Sequence, residues 1–135
     1  AEVKYYKGKL GVKSIYEDAL KTNNLRSYIN LESGAAFPDI EKMVFQIFDK
    51  NPNFIMYVLL ADSPIARQYP LLHKERYFRK FIPHNVKIST ADTLIYNGKV
   101  SIINFDNKII GTVLQNTDYY ITTKGIFDLM WKLLP

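Results

Sequence analysis

Phe54-Ile55-Met56-Tyr57-Val58-Leu59-Leu60 is an unbroken apolar run, closed in front by Asn51-Pro52-Asn53 and behind by Ala61-Asp62-Ser63-Pro64. Its length suits a strand and is short for a core helix. A strand that is apolar at every position, rather than at every second one, has both faces covered. The chain is therefore expected to build a sheet with other elements packed on either side of it.

Those elements are written in the flanking sequence. From Lys9 to Lys21 the apolar residues Val12, Ile15, Tyr16, Ala19 and Leu20 fall at i, i+3, i+4, i+7 and i+8, one face of a helix. Lys13, Glu17 and Lys21 lie at i, i+4 spacing on its outer face. Ile40, Met43, Val44, Ile47 and Phe48 repeat the apolar pattern, with Pro38 suited to the first turn of that second helix. Val3 to Tyr6 reads as an edge strand stopped by Gly8, and Leu25 to Leu31 as a further strand followed by the loop 32–36. Pro64 to Arg79 has weak helical character and reads as a helix broken near Pro70.

The last third is a meander. Asn97-Gly98 between Asp92–Tyr96 and Lys99–Phe105 is a hairpin signal, because both central residues of a type I′ turn need positive φ. Asp106-Asn107 turns into a third strand over Lys108–Gln115. Thr117 is placed to cap a final helix, with Asp118 at its positive end and Tyr120, Phe127, Met130, Trp131 and Leu134 on the buried face. Strands alternating with helices imply a parallel portion and the meander adds antiparallel strands. The fold class is α/β, a mixed β-sheet flanked by helices, in one domain over 1–135 with no repeat or linker.

Composition narrows the function. The 10 Tyr, 8 Phe and 1 Trp among 135 residues fill a core and exclude a disordered chain. With no Cys there is neither a disulfide scaffold nor a thiol nucleophile, and a reducing compartment is allowed. No apolar run approaches the ~18 residues of a membrane helix, and Ala1-Glu2-Val3-Lys4 does not open a signal peptide. A cytoplasmic location with no membrane contact is expected. His73 and His84, the only histidines, have no His or Cys at metal-ligand spacing, so no metal or cofactor is expected. No nucleophile elbow or phosphate loop occurs. Gly8-Lys9-Leu10-Gly11 opens a helix and either holds an anion on its amides or simply makes the turn.

Charge is concentrated. Arg67, Lys74, Arg76, Arg79, Lys80 and Lys87 face Glu75 alone, so this one segment carries the whole net charge of +5. Arg76, Arg79 and Lys80 are the expected anion-binding residues, for an anionic effector or an acidic partner surface. The interleaved Tyr69, Tyr77, Phe78 and Phe81 also allow a nucleic-acid-binding module over 67–87, against the plainer reading of wet side chains on the surface. Glu32-Ser33 and Asp62-Ser63 each follow a predicted strand, where open α/β sheets place ligands. They are candidate ligand-binding residues, the alternative being that Asp62-Ser63 starts a helix and Glu32 is solvated.

Three stretches together resemble the C-terminal effector domain of TrmB-like transcriptional regulators, whose fold is similar to one half of a phospholipase D-type protein. They are Tyr5-Tyr6-Lys7-Gly8-Lys9-Leu10-Gly11 with its continuation to Asp18, the meander from Asp92 to Gly111, and Gly125-Ile126-Phe127-Asp128-Leu129-Met130-Trp131. The resemblance implies a winged-helix DNA-binding domain preceding Ala1, with DNA bound only through that domain, and a homodimer. The missing initiator Met and the strand-like start fit an excised or processed chain, and also a trimmed small protein. The phospholipase D comparison implies a His-x-Lys pair followed by an Asp. In that frame the positions are Thr90, Asp92 and Asn97. Asp92 repels the phosphate that Lys would attract, and Thr90 is a poor substitute for an imidazole nucleophile. No catalytic residue is expected. Thr90 and Asp92 instead join Glu32, Ser33, Asp62 and Ser63 as expected contacts to an unidentified small-molecule effector. The rival is a diverged phosphodiesterase using His73 or His84. The dimer contact is expected on the outer side of the last helix or on the meander.

Overall fold

A computed structural model describes residues 1–33, 38–70, 73 and 75–135. The side chain of Ser33 and the Gly34-Ala35-Ala36 part of the expected loop lie outside the described residues, as does Lys74 of the basic segment.

The chain runs β1 (Glu2–Lys7), α1 (Gly8–Ala19), β2 (Asn24–Ile29), a 3₁₀ turn (Leu31–Ser33), α2 (Pro38–Lys50), β3 (Ile55–Ala61), α3 (Pro64–Gln68), β4 (Tyr77–Ile82), β5 (Asp92–Tyr96), β6 (Lys99–Asn104), β7 (Ile110–Gln115) and α4 (Thr117–Leu133). The strands form one sheet in the order β1-β7-β6-β5-β2-β3-β4. Strands β2, β3 and β4 are parallel, and the rest of the sheet is antiparallel.

The unbroken apolar run is explained by two cores. Met56, Val58 and Leu60 face the layer of α1 and α2, with Val12, Ile15, Tyr16, Phe48 and Leu94. Tyr57 and Leu59 face the layer of α4, with Ile95, Phe127 and Trp131. Strand periodicity then assigns neighbours. Leu25 and Leu94 share the α1/α2 side with Met56, and Tyr28 and Ile95 share the α4 side with Leu59. Gly111 lets α1 lie close on β7, since a Cβ there would stand 2.2 Å from Ile15 Cδ1. Asn97 and Gly98 adopt φ of 43° and 75°, as the type I′ turn requires.

Two expectations are corrected. The helix expected over Pro64–Arg79 ends at Gln68, and Tyr77–Ile82 is instead the edge strand β4, parallel to β3. Its alternation is real: Tyr77 and Phe81 pack towards α2, and Ile82 packs in the α4 layer. Two adjacent cations, Arg79 and Lys80, hide it. Charged residues are also what an exposed edge requires. The final helix is capped by Asn116, not Thr117: Asn116 Oδ1 accepts from the Tyr119 amide at 3.1 Å. Asp118 lies in the first turn, as expected.

Candidate functional site

A cavity of about 150 Å³ lies between α2 and the sheet, where the carboxyl ends of β2 and β3 meet the start of β5. Its floor is Leu25, Met56, Val58, Leu60 and Leu94, and Ile40, Val44 and Phe45 of α2 cover it. Asn30 and Tyr77 are among its polar lining residues, and polar groups also enter from Asp92 and from Glu41. Tyr16 Oη donates to Asp92 Oδ2 at 2.5 Å. Glu41 lies beside the hydroxyl of Tyr69.

Asp92 reaches this position because it has the same parity on β5 as Leu94 and Tyr96, and so faces α1. Burial pushes its carboxyl up to about 6, and the hydrogen bond from Tyr16 opposes that rise. Burial, followed by the charge of Asp92, raises Tyr16 well above the usual tyrosine range. Burial also raises Tyr69, with Glu41 adding to it. No Lys, Arg or His is among the described residues that line the cavity.

Of the six residues expected to bind a ligand, Asp92 lines this cavity. Thr90 Oγ1 donates to Asp106 Oδ2 at 3.1 Å. Asp62 is held by Arg67 through two bonds of 2.8 and 2.9 Å, and Arg67 keeps its carboxyl below the usual range. Ser63 caps α3, its Oγ accepting from the Ala66 amide at 3.1 Å. Glu32 is exposed beyond Asn30, whose Oδ1 accepts from the Glu32 amide. The pair after β3 therefore has local partners, and the helix-starting alternative describes Asp62-Ser63. Sequence reasoning missed Tyr16, Glu41 and Tyr69. Tyr16 lies on a helix's apolar face, as its spacing predicts, but its hydroxyl reaches past that face to Asp92.

The expected anion group of Arg76, Arg79 and Lys80 is not assembled. Arg76 donates to the carbonyls of Phe48 (2.7 Å) and Asn51 (3.0 Å), at the end of α2. Arg79 donates to Tyr69 O at 2.8 Å, at the end of α3. Lys80 donates to Trp131 O and Leu134 O at 2.5 and 2.9 Å, at the end of α4. Each cation thus serves the carbonyls at a different helix C-terminus, where positive charge is favoured. Arg79 and Lys80 lie on opposite faces because they are neighbours on a strand. His73 stacks on Phe48 with ring centroids 5.0 Å apart and lies 3.6 Å from an Asp49 carboxylate oxygen. Neither histidine lines the cavity. Gly8, at φ 75°, gives its amide to Ile109 O, so it makes the strand–helix turn. Among the described residues there is no cluster able to hold a metal ion, and no helix is long and apolar enough to cross a membrane.

This seven-stranded mixed sheet with its flanking helices is the phospholipase D-like fold. No family model and no curated protein matches the sequence. Among solved structures, the chain is similar to Nuc from Salmonella typhimurium, a phospholipase D family member, with a TM-score of 0.71 and 12% identity over 99% of this chain and 96% of that one. It is similar to NucT from Helicobacter pylori, with a TM-score of 0.64 and 10% identity over 98% of both chains. It is also similar to TrmBL2, an archaeal chromatin protein with a novel mode of DNA binding, with a TM-score of 0.65 and 15% identity. That match covers 100% of this chain but 54% of TrmBL2, so the chain spans about half the length of that protein. At these identities the likeness is one of fold.

Proposed function

We propose that this chain is the ligand-sensing and dimerisation domain of a TrmB-like transcriptional regulator, and that it holds a small molecule without turning it over. The observation that carries this reading is Asp92, the residue in the place where the phospholipase D-type frame needs Lys. Here it borders an apolar cavity with Tyr16 as its partner. Apolar cavities with a few converging polar groups are the usual form of a small-molecule site. Such a regulator would act in the cytoplasm and would meet DNA through a winged-helix domain outside this chain. The likeness to TrmBL2 supports that placement. The carbonyl bonds of Arg76, Arg79 and Lys80 argue against a nucleic-acid surface on the basic segment.

The second copy is placed on α4. Its outer side carries Tyr119, Ile126, Leu129 and Leu133, all exposed, with Thr122 completing the series. The spacing of three and four residues is that of a helix-pair seam. An antiparallel pair would bring Asp118 of one copy beside Lys132 of the other at both ends.

A chromogenic phosphodiester assay, run beside thermal melts with a panel of small metabolites, tests the reading. Stabilisation by a panel member with no turnover supports it. Turnover that is lost in His73→Ala or His84→Ala would replace it with a diverged phosphodiesterase.

A further inference from the structure

The chemistry of the cavity restricts what it can hold, and this deepens the ligand-sensing reading on which it rests. We infer that the ligand is a small, mainly apolar molecule, neutral or cationic and about the size of a phenol or an arylamine, that donates one N–H or O–H to Asp92.

Size comes first. A cavity of about 150 Å³ compares with engineered apolar cavities of about 150 Å³ that admit benzene. That leaves room for one ring and a short substituent, and too little for a nucleotide or a disaccharide. The walls come second. Apart from Glu41, the floor and the α2 side are hydrocarbon, so a ligand covered in hydroxyl groups would leave most of them without partners. Charge comes third. Asp92 and Glu41 both border the space, and no cation does among the described residues. An anion placed there would meet two carboxyl groups in a medium of low dielectric, with no cation among the described lining residues to neutralise it.

Hydrogen bonding fixes the orientation. Tyr16 occupies Oδ2 of Asp92, and Oδ1 accepts from no described residue. The open position is therefore an acceptor, and it selects a donor. A cationic amine gains charge assistance from the same oxygen.

The protein carries its own reporters. Met56 lines the cavity, whereas Met130 lies in the α4 layer across the sheet. With methyl-¹³C methionine, the protein is titrated with phenol, aniline and benzylamine, then with benzoate and phenyl phosphate, and with toluene as the shape control. The expected result is movement of the Met56 signal with the three donors and with toluene, an unmoved Met130 signal, and no response to the two anions. Asp92→Asn should weaken benzylamine at least about tenfold and leave toluene unchanged. Tyr16→Phe, which keeps the carboxyl group, should retain benzylamine binding at a pH high enough to ionise Asp92 and serves as the second variant. Benzoate or phenyl phosphate moving Met56 as readily as phenol would overturn the ligand class and leave ligand sensing standing. A Met56 signal that responds to none of the probes, toluene included, would overturn the class and remove the cavity as the binding site.

Discussion

Replacing Asp92 by Asn keeps the shape of the side chain and an oxygen to receive the Tyr16 hydroxyl, while removing the charge. In the unfolded chain the carboxyl titrates near 3.8, and in the folded protein near 6. Between those values the folded state holds more protons than the unfolded state, so stability falls as pH rises through the window and levels off above it. A displacement of about two pKa units corresponds to about 3 kcal/mol, and about 2 kcal/mol is a better figure for a carboxyl that borders a cavity rather than solid core. Asp92→Asn should therefore match the wild type at about pH 4 and exceed it by about 2 kcal/mol at about pH 7.5. Urea melts of both proteins across this range give the difference directly, with the other titrating groups cancelling. Tyr16→Phe removes the donor that opposes the shift, so its stability should keep falling to higher pH. A difference between Asp92→Asn and wild type that is flat with pH would refute the burial of this carboxyl, as would a wild type that gains on the variant when pH rises.

Arg76→Ala should lower stability by about 1–3 kcal/mol in denaturant melts, because it removes the guanidinium donor from the carbonyls of Phe48 and Asn51 and leaves Asn51 only the Phe54 amide; a neutral result would return this cation to the surface. Trp131→Ala should cost about 2–3 kcal/mol, less than for a fully enclosed ring, because Trp131 is half-buried against Tyr57 and Phe127; the same melts check it. Leu129→Glu, on the exposed seam of α4, should turn a dimer into a monomer in sedimentation at micromolar concentration with little change in melting; a wild type that sediments as a monomer at low and high salt would remove the dimer.

The sheet, its helices and the hairpin were legible because each was written in one local pattern. The seven apolar residues of β3, the helical spacing of Val12 to Leu20 and of Ile40 to Phe48, and Asn97-Gly98 all act within their own segment. β4 was not legible, because Arg79 and Lys80 look like a charged turn until the helix ends they serve are in place. The same long-range bonds dissolved the expected anion group. For the cavity, Asp92 stood out through its place in the phospholipase D-type frame. Tyr16, Glu41 and Tyr69 did not, because they come from α1, α2 and the residue after α3, and folding alone brings them together. Position after a strand points to Asp62, a rule that says where ligands gather and nothing about the closer partner Arg67.

The most direct measurement is native mass spectrometry of the protein purified under mild conditions from the cells that make it, beside Val44→Phe, which fills the cavity from the α2 side. The account predicts one small molecule retained by each wild-type chain and none by Val44→Phe, with both proteins folded by circular dichroism. A wild-type chain that carries nothing, or a Val44→Phe chain that retains the same mass, would contradict it.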